Sequence, residues 1–379
     1  MNKRIKIVAD DKIPFLKGVL EPYADIFYSD SQQMDKALIK DADALIIRTR
    51  TKCDSRLLEG TDVKYIATAT IGYDHIDTEY CADAGIDWIN APGCNSSSVR
   101  QYIASALLMF AYREKVNLKD LTIGIVGVGS VGRKIAMLAE ILEMKILLND
   151  PPRERAEGNL GFVKLDEIKK YADIITLHVP LNYEGEDKTF HLADEKFFES
   201  VRSEALIINS SRGAVADNQA LKKALNEKKI KAAILDVWEN EPEIDTELLK
   251  MVYFGTAHIA GYSAEGKANG TAVAVNSVSK FFNLGLPSNW YPEIPLPQNN
   301  QKIFIDCSSK PGEEIYEMVT HTYKISEDDS NLKKTPWAFE NLRDSYKIRR
   351  EFPYFSAKLK NCDRRITSKI KELGFRYFK

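Results

Sequence analysis

Three polar side chains in the second half of the sequence are of the types that the oxidation of a hydroxy acid needs. They are Arg212, Glu241 and His258, and each follows a short apolar run that predicts a buried strand. A guanidinium can hold a carboxylate through two parallel hydrogen bonds, and a histidine with an acidic partner can exchange a proton near neutral pH. With a nicotinamide cofactor to accept hydride from C2, these groups predict the oxidation of a 2-hydroxy acid without a metal.

Each of these residues also has a purely structural interpretation. Arg212 could bridge two loops, Glu241 could cap the turn at Pro242, and His258 could lie in the core. Three such residues at successive strand ends favour one shared site, because the carboxyl ends of parallel strands meet at one edge of a sheet. His178 is a rival base at another strand end, but no acid follows it, so it is predicted to line the cofactor pocket. The other histidines and the cysteines are predicted to be structural or at the surface: His75, His191, His321, Cys53, Cys81, Cys94, Cys307 and Cys362.

A glycine-rich turn lies between a predicted strand at 122–126 and a predicted helix at 133–142. In such a turn the first glycine allows the tight bend, the second lets the backbone approach a pyrophosphate, and the third lets the helix pack against the strand. Asp150 follows the next strand, where its carboxylate can bind the adenosine ribose and repel a 2'-phosphate. The pattern predicts NAD binding, and Arg153 and Arg155 leave NADP as the alternative. The predicted cofactor ligands are Gly127, Gly129, Ser130, Val131, Gly132 and Asp150.

Short apolar runs separated by helical stretches predict two α/β domains. The predicted strands are 6–9, 43–48, 63–68, 122–126, 145–149, 174–178, 205–209, 232–237 and 253–257. A Pro/Gly turn and a serine cluster at 91–98 predict a hinge before a long helix at 99–112, and a further helix is predicted at 266–283. The predicted fold class is α/β, with a Rossmann-type doubly wound parallel sheet in the NAD domain plus a flavodoxin-like substrate domain. The active site is expected in the cleft between them.

The proline-rich stretch 287–297 predicts a linker to a third unit. The predicted domains are a substrate-binding domain, 1–98 with 266–286, an NAD-binding domain, 99–265, and a small α+β C-terminal subunit-contact domain, 287–379. From 331 to 379 the chain has 14 Lys/Arg against 5 Asp/Glu, interleaved with aromatic residues. This pattern is typical both of nucleic-acid surfaces and of subunit-contact domains whose cations face outward or toward an anionic substrate, and we favour the subunit contact.

The composition limits the class of protein. The 379 residues, 44% hydrophobic and 28% charged, indicate a soluble globular protein of two or three domains. A net charge of -2 gives no overall field that would favour nucleic acid or membranes as partners. The chain has no run of 18 apolar residues and no secretory leader pattern, so a cytoplasmic protein is expected. Five cysteines without a C-x-x-C pair argue against a disulfide framework and against a zinc site.

Four segments resemble the signature segments of the NAD-dependent D-2-hydroxyacid dehydrogenases, in order and spacing over residues 1 to about 285. They are the glycine turn, 209–213, 236–242 and 258–261. The resemblance implies that Arg212, Glu241 and His258 are the catalytic residues. It implies substrate contacts from Thr49, Thr70 and Tyr262, and further cofactor contacts from Val179, Ser210, Ser211, Asp236 and Gly261.

Longer stretches resemble one branch of that family more closely. They are 91–95, 150–153, 191–196 and 258–267. Members of this branch carry an added C-terminal dimerisation domain and oxidise a phosphorylated four-carbon 2-hydroxy acid, so the resemblance implies a homodimer with such a substrate. Thr49 replaces a serine of that branch and Val179 replaces a threonine, and neither change affects the predicted chemistry.

A phosphorylated substrate needs cations beyond Arg212. Arg48 and Arg50 flank Thr49 at a predicted strand end, and alternation along an extended segment would point both side chains to one face. At least one of them is predicted to hold the phosphate, and a pair of surface arginines is the alternative. Arg349 or Arg350 of the C-terminal segment is a further candidate, which could reach the site of a neighbouring subunit.

Two other functions fit the same residues. A dehydrogenase of 3-phosphoglycerate or of another 2-hydroxy acid would need the same carboxylate, hydroxyl and phosphate contacts. A different class of protein, an NAD(H)-sensing corepressor-like interaction protein, shares the fold, because a fold alone does not determine a function. The intact set of Arg212, Glu241 and His258 favours an enzyme.

Overall fold

The computed structural model describes residues 4–159, 161–297 and 300–378. The chain forms two compact units, each assembled from two separate stretches of sequence. One unit comprises Met1–Asn95 and Ser263–Leu296, and the other comprises Ser96–Tyr262 and Pro297–Lys379. The first unit contains one parallel sheet, and the second contains a larger parallel sheet and a small one.

The first unit contains a five-stranded parallel sheet with the flavodoxin-like order β2-β1-β3-β4-β5. Its strands are β1 (Lys6–Asp10), β2 (Asp25–Ser29), β3 (Ala44–Ile47), β4 (Tyr65–Thr68) and β5 (Asp87–Ile89). Its helices are Lys36–Ile39, Ser55–Leu58, Thr78–Asp83 and Ala264–Phe281. The flavodoxin-like fold predicted for this part of the chain is confirmed.

The two edge strands of this sheet, β2 and β5, were not predicted from the sequence. Neither strand contains a fully buried residue, and both begin with an exposed aspartate. The central strands β3 and β4 are buried along their whole length, which produces the continuous apolar runs that the sequence analysis detects. An edge strand faces solvent on one side, so its composition does not distinguish it from a loop.

Helix Ala264–Phe281 packs against β4 and completes the core of the first unit. The hydroxyl of Ser263 begins this helix by accepting a hydrogen bond from the backbone N–H of Gly266 at 2.8 Å. At Gly270 an added Cβ would lie 2.3 Å from the carbonyl oxygen of Ala69. Glycine at this position therefore lets the helix approach the residue that follows β4.

The second unit contains a six-stranded parallel sheet with the order β11-β10-β9-β8-β6-β7. Its strands are β6 (Thr122–Val126), β7 (Lys145–Asn149), β8 (Ile174–Leu177), β9 (Leu206–Asn209), β10 (Ala232–Leu235) and β11 (Phe254–Gly255). The strand order reverses between β6 and β8, which is where doubly wound sheets bind their ligands. The predicted Rossmann-type sheet is confirmed, and β6 and β7 have the predicted bounds.

Helices connect these strands and cover the sheet. They are Ser96–Glu114, Ser130–Ile141, Pro151–Glu157, Leu165–Tyr171, Glu195–Ser200, Asn218–Asn226 and Thr246–Met251. Helix Ser96–Glu114 is buried along most of its length. Its polar side chains bind the C-terminal segment: Gln101 Nε2 donates to Thr322 Oγ1 at 3.1 Å, and Ser105 Oγ donates to the carbonyl of Tyr323 at 3.0 Å. The C-terminal segment therefore packs with the six-stranded sheet in one unit, and its separation as a third domain stays a prediction.

The C-terminal segment carries a three-stranded parallel sheet in the order β12-β13-β14. Its strands are β12 (Lys302–Asp306), β13 (Ser356–Lys360) and β14 (Arg376–Tyr377). Its helices are Glu314–Thr322, Ile325–Lys334, Phe339–Asp344 and Arg364–Leu373.

Two of the cysteines are not free, contrary to the sequence-based expectation. Cys307 and Cys362 form a disulfide with their Cα atoms 5.0 Å apart, although 55 residues separate them. Cys307 directly follows β12 and Cys362 lies two residues beyond β13, and these strands pair in register with Asp306 opposite Lys360. The pairing of the strands brings the two thiols together, which cysteine spacing alone does not predict. Cys53, Cys81 and Cys94 are buried and form no disulfide within the described part of the chain.

Within the described ranges, no helix is both long enough and apolar enough to cross a membrane.

Candidate active site

The glycine turn lies between β6 and helix Ser130–Ile141, as predicted. Gly127 has a φ of +87°, a conformation that favours glycine, and its N–H donates to the carbonyl of Asn149 at 2.8 Å. A Cβ at Gly132 would lie 2.0 Å from the carbonyl oxygen of Gly127, so the third glycine is needed for close packing of the helix. Gly129 is exposed and has no heavy atom within 4 Å of an added Cβ, so this part of the turn has open space in front of it.

Alanine substitutions at the two glycines are expected to separate folding from cofactor binding. Gly132→Ala should lower the free energy of unfolding by about 1–3 kcal/mol, because the added methyl group overlaps a backbone carbonyl. Gly129→Ala should leave stability unchanged and weaken NAD binding, because the methyl group occupies only the open space of the turn. Urea unfolding and NAD titration of both variants measure the two effects. A Gly129→Ala protein that binds NAD as the parent does would contradict the role of this turn.

Asp150 holds the glycine turn from the end of β7. Its carboxylate accepts hydrogen bonds from the backbone N–H groups of Val128 at 2.8 Å and Arg153 at 3.1 Å. Arg153 pairs with Glu157 at 2.6 Å, and Arg155 pairs with Asp187 at 2.5 Å. Both arginines, which raised the possibility of NADP, are thus engaged with carboxylates of their own chain.

His178 and Val179 follow β8, on the other side of the strand reversal. An added Cβ at Gly127 would lie 2.6 Å from the carbonyl oxygen of His178 and 2.9 Å from Val179 Cγ1, so these residues adjoin the glycine turn. The His178 ring nitrogen Nε2 bonds to Thr176 Oγ1 at 2.9 Å. Desolvation lowers the pKa of His178 well below its ordinary value, so the ring is neutral near pH 7. This electrostatic setting makes His178 unsuitable as the proton-exchanging base.

The end of β9 carries the segment with Ser210, Ser211 and Arg212. Asn209 organises it: its side chain accepts from the N–H and Oγ of Ser211 at 3.1 and 2.9 Å, and donates to the carbonyl of Arg212 at 2.9 Å. The hydroxyl oxygen of Ser210 is buried and has no hydrogen-bond partner in the described part of the chain. A cofactor bound along this edge would satisfy that hydroxyl, so Ser210 and the open space at Gly129 both fit a dinucleotide.

Glu241 and His258 form a pair at the ends of neighbouring strands β10 and β11. His258 Nδ1 bonds to Glu241 Oε2 at 2.7 Å, and the backbone N–H of Trp238 donates to Glu241 Oε1 at 2.9 Å. The side chains are 27% and 17% exposed, so the His258 ring is partly accessible to a ligand. Burial by itself raises the pKa of Glu241, but His258, the charge of Arg343 and the backbone N–H of Trp238 together outweigh burial and hold that pKa below its usual value. The carboxyl group is therefore ionised at neutral pH and fixes the proton of His258 on Nδ1.

The segment that carries His258 is held by Asp236. The backbone N–H groups of Ile259 and Ala260 each donate to the carboxylate of Asp236 at 2.8 Å, and Thr256 Oγ1 donates to it at 2.6 Å. His258 itself has a φ of +54°, an uncommon backbone conformation for a histidine. Asp236 is almost completely buried, and its carboxylate faces its own chain. Its contact with a cofactor stays a prediction.

A second set of polar contacts, which the sequence analysis missed, holds the loop that bears Glu241. Glu239 accepts from His191 Nε2 at 2.7 Å and from the backbone N–H of Asn218 at 2.9 Å. His191 Nδ1 lies 3.6 Å from Asp217 Oδ2. The two nitrogens of one imidazole ring thus face two different carboxylates, and His191 joins three loops. The segment from 236 to 242 could have suggested Glu239, but nothing in the sequence pairs it with His191.

The Arg212 and Glu241 loops contact each other through Gly213. A Cβ at Gly213 would lie 1.9 Å from the carbonyl oxygen of Trp238. Arg212 Nη1 donates to the carbonyl of Ser211 at 2.9 Å. The structure therefore brings Glu241 and His258 into direct contact and places Arg212 on the adjacent loop.

Arg349 does not extend from the chain as its proposed role in a neighbouring site would need. It is only 3% exposed, and its Nη2 donates to the carbonyls of Ala260 at 2.6 Å and Ile259 at 3.2 Å. The guanidinium also lies over the ring of Tyr323, 4.5 Å from its centroid. The expectation that Arg349 reaches a neighbouring subunit is wrong, because its own chain surrounds it. Gly261 and Tyr262 follow the segment that it holds, and the ring of Tyr262 packs edge-on against Tyr346.

The predicted substrate residues of the first unit lie beyond the ends of β3 and β4. Arg48 forms a two-pronged ion pair with the buried Asp10, with distances of 2.9 and 3.1 Å. Because β3 ends at Ile47, residues 48–50 form a turn and not an extended segment, so alternation does not align Arg48 with Arg50. Thr49 and Arg50 are half-buried.

The hydroxyl of Thr70 is already hydrogen-bonded within the first unit. It lies 2.8 Å from Thr68 Oγ1 and donates to the carbonyl of Gly72 at 3.1 Å. The role of Thr70 as a substrate contact, like that of Thr49, stays a prediction.

A comparison with known protein families defines the class of protein to which the chain belongs. Residues 105–260 match the family model of the D-isomer specific 2-hydroxyacid dehydrogenase, NAD binding domain. This range contains the glycine turn, Asp150 and all three candidate catalytic residues. The fold and site are those of an NAD-dependent D-2-hydroxyacid dehydrogenase.

Relatives that align over most of their length identify the family within this class of dehydrogenase. The chain is 49% identical to erythronate-4-phosphate dehydrogenase of Bacteroides thetaiotaomicron over 348 residues, which is 92% of this chain and 97% of that protein. It is 40% identical to erythronate-4-phosphate dehydrogenase of Escherichia coli K12 over 351 residues, 92% of each chain. The chain belongs to the erythronate-4-phosphate dehydrogenase family.

Solved structures of other members of the class share the fold. A cofactor (NAD+) bound 3-phosphoglycerate dehydrogenase of Entamoeba histolytica aligns with a TM-score of 0.63 at 26% identity, covering 77% of this chain and all of that one. A D-lactate dehydrogenase of Aquifex aeolicus, complexed with NAD and lactic acid, aligns with a TM-score of 0.62 at 24% identity and the same coverage.

Proposed function

We propose that this protein oxidises 4-phospho-D-erythronate at C2 with NAD, giving (R)-3-hydroxy-2-oxo-4-phosphooxybutanoate, a step of pyridoxal 5'-phosphate biosynthesis. The observation that carries the proposal is the Glu241–His258 pair at 2.7 Å, at the carboxyl edge of a dinucleotide-binding sheet. The named relatives at 40–49% identity supply the substrate.

The proton chemistry follows from the pair. Because Glu241 holds the proton of His258 on Nδ1, the Nε2 lone pair is the acceptor for the C2 hydroxyl proton. Protonation of the ring places its positive charge against the ionised carboxylate of Glu241, which stabilises it. Arg212 holds the substrate carboxylate and keeps C2 in position. NAD, when held at the glycine turn, would supply the acceptor for the hydride of C2.

The residues proposed to hold NAD follow the carboxyl ends of strands β6 to β11. The glycine turn from Gly127 to Gly132 faces the pyrophosphate, with backbone N–H groups at the start of helix Ser130–Ile141. Asp150 binds the adenosine ribose, and the otherwise unpaired hydroxyl of Ser210 donates a hydrogen bond to the cofactor. Further contacts come from Val179, Ser211, Asp236 and Gly261.

Substitution of Asp150 tests the cofactor preference. In Asp150→Ser the carboxylate that repels a 2'-phosphate is absent, so the preference for NAD over NADP should fall by about tenfold or more. The same change removes the acceptor for the Val128 N–H, so KM for NAD should also rise. Initial rates with both cofactors measure the ratio, and Asp166→Ser, an exposed position, is the matched control. An unchanged ratio would contradict the role of Asp150.

In the first unit, we propose that Arg50 holds the substrate phosphate, with Thr49 and Thr70 as neighbouring contacts. Tyr262 is proposed as a further substrate contact. Arg48 supports this turn through Asp10. We further propose a homodimer formed through the C-terminal segment 287–379. Light scattering of the purified protein tests whether the protein is a dimer. The mass of a monomer would contradict the proposed homodimer.

The direct test of the function compares substrates. Purified protein with NAD is given 4-phospho-D-erythronate or 3-phosphoglycerate, with a 2-oxo acid in parallel reactions to reoxidise any retained NADH. Turnover of the four-carbon acid supports the proposal. Turnover of 3-phosphoglycerate alone would assign another substrate, and NAD binding without turnover of either acid would favour the sensing function.

A further inference from the structure

The C-terminal segment binds the backbone on both sides of His258. Strand β11, which precedes His258, lies at the edge of the six-stranded sheet, and helix Ile325–Lys334 packs against it. One side chain of that helix binds the strand itself, because Asp329 Oδ1 accepts a hydrogen bond from the backbone N–H of Gly255 at 2.8 Å. The helix thus supplies a polar partner to the backbone of an edge strand.

Arg349 binds the backbone that follows His258. Its Nη2 donates to the carbonyl oxygens of Ile259 and Ala260, at 3.2 and 2.6 Å. The backbone N–H groups of the same two residues donate to the carboxylate of Asp236, at 2.8 Å each. This part of the catalytic loop is therefore held through both its donors and its acceptors, by an acid of the sheet and by an arginine of the C-terminal segment.

Aromatic side chains of the C-terminal segment restrict the position of this guanidinium. Arg349 is 3% exposed, and its guanidinium lies 4.5 Å from the ring centroid of Tyr323 and 5.8 Å from that of Tyr346. The hydroxyl of Tyr346 donates in turn to the carboxylate of Asp328 at 2.7 Å. Because two rings and a planar donor group restrict the guanidinium, it can hold the backbone of 259–260 in one position.

We propose that Arg349 is a positioning residue for proton transfer at His258. The backbone of His258 has a φ of +54°, and its Nδ1 lies 2.7 Å from Glu241 Oε2. A histidine keeps this uncommon backbone conformation only where the surrounding structure holds it. Arg349 fixes the two residues that follow and so directs the imidazole toward Glu241. The inference rests on the proposed function, because it gives Arg349 a part in that reaction.

Replacing Arg349 by methionine tests this role, because the change removes both hydrogen bonds and keeps an unbranched side chain. We expect the rate of hydride transfer per bound NAD to fall by about 10- to 100-fold, since a displacement of about 1 Å can cost a factor of about 10². Arg349→Lys keeps a charged donor for one carbonyl and should restore part of that rate. Single-turnover rates with 4-phospho-D-erythronate, divided by the amount of bound NAD, count only folded sites.

Arg100→Met is the matched control for this experiment. Arg100 is also a buried arginine, and its Nη2 donates to the carbonyl of Leu373, in helix Arg364–Leu373, at 2.8 Å. Arg100→Met should lose stability and keep the parent rate per bound NAD. Equal losses of rate in the two methionine variants, or a parent rate in Arg349→Met, would overturn the proposal. Should Arg349→Met not fold, Arg349→Lys and Arg100→Lys provide the same comparison.

Proton NMR tests the position of His258 without any turnover. A histidine N–H that donates to a carboxylate resonates far downfield, and the Nδ1 proton of His258 is assigned by its absence in His258→Ala. We expect this resonance in the parent and in Arg100→Met, and its displacement or loss in Arg349→Met. An unchanged resonance in Arg349→Met would overturn the proposal. A parent that shows the resonance but oxidises no acid would contradict the proposed function alone.

Discussion

Replacing Glu241 by glutamine is expected to lower kcat by about 10²- to 10⁴-fold, the range found for loss of a positioned acid–base group. The amide oxygen can still accept the N–H of Trp238, which places the NH₂ group against His258 Nδ1. That nitrogen must then accept, so the ring proton moves to Nε2 and the base is lost. His258→Ala should lose activity over the same range. The measurement is the rate of hydride transfer with C2-protonated and C2-deuterated substrate.

Glu243→Gln is the matched control for this prediction, because Glu243 is exposed on the same loop. It should retain the parent rate and the parent isotope effect. Glu241→Gln should retain NAD binding, since Glu241 lies outside the glycine turn that is proposed to hold the cofactor. A Glu241→Gln protein with hydride transfer within about threefold of the parent would show that His258 does not need its partner.

The Glu241–His258 pair also links stability to pH. The folded pKa of Glu241 lies below its usual value, so its ionised form stabilises the folded protein above about pH 4.3, the ordinary pKa of a glutamate. This contribution is lost as the pH falls through the lowered pKa.

Substitutions of Arg48 and Arg50 are expected to have different effects on the protein. Arg48→Ala leaves the fully buried Asp10 without its ion-pair partner, so the free energy of unfolding should fall by about 3–5 kcal/mol. Arg50→Ala should leave stability close to that of the parent and raise KM for the phosphorylated acid by about 10- to 100-fold, the value of a lost charge-assisted contact. Urea unfolding and steady-state kinetics separate the two effects.

Two further comparisons test the roles of Arg48 and Arg50. Arg48→Lys restores a charge beside Asp10 and should recover part of the stability that Arg48→Ala loses. D-erythronate lacks the phosphate, so Arg50→Ala should leave its KM unchanged while raising that of 4-phospho-D-erythronate. Equal effects on both acids would show that Arg50 does not contact the phosphate, and a fully stable Arg48→Ala protein would contradict the structural role of that pair.

The sequence by itself determined the features that neighbouring residues encode. The bounds of β6 and β7 are those of their apolar runs, and the turn between β6 and its helix needs glycine at Gly127 and Gly132 for reasons local to a few residues. The order of these elements was sufficient to predict the six-stranded sheet and the three central strands of the five-stranded sheet. The contact of Glu241 with His258 followed from their positions at the ends of strands that pair through one sheet.

Only the tertiary structure decided which partner each polar side chain takes. Arg48 meets Asp10, 38 residues earlier, and Arg349 meets the carbonyl of Ala260, 89 residues earlier. Cys307 and Cys362 meet because β12 and β13 pair. Such contacts depend on how distant segments pack, and neither the type of a residue nor its spacing in the sequence specifies that packing. For this reason the sequence indicated the candidate catalytic residues, but it did not show that Arg48 pairs with Asp10, and it assigned Arg349 and two cysteines to roles that their long-range partners exclude.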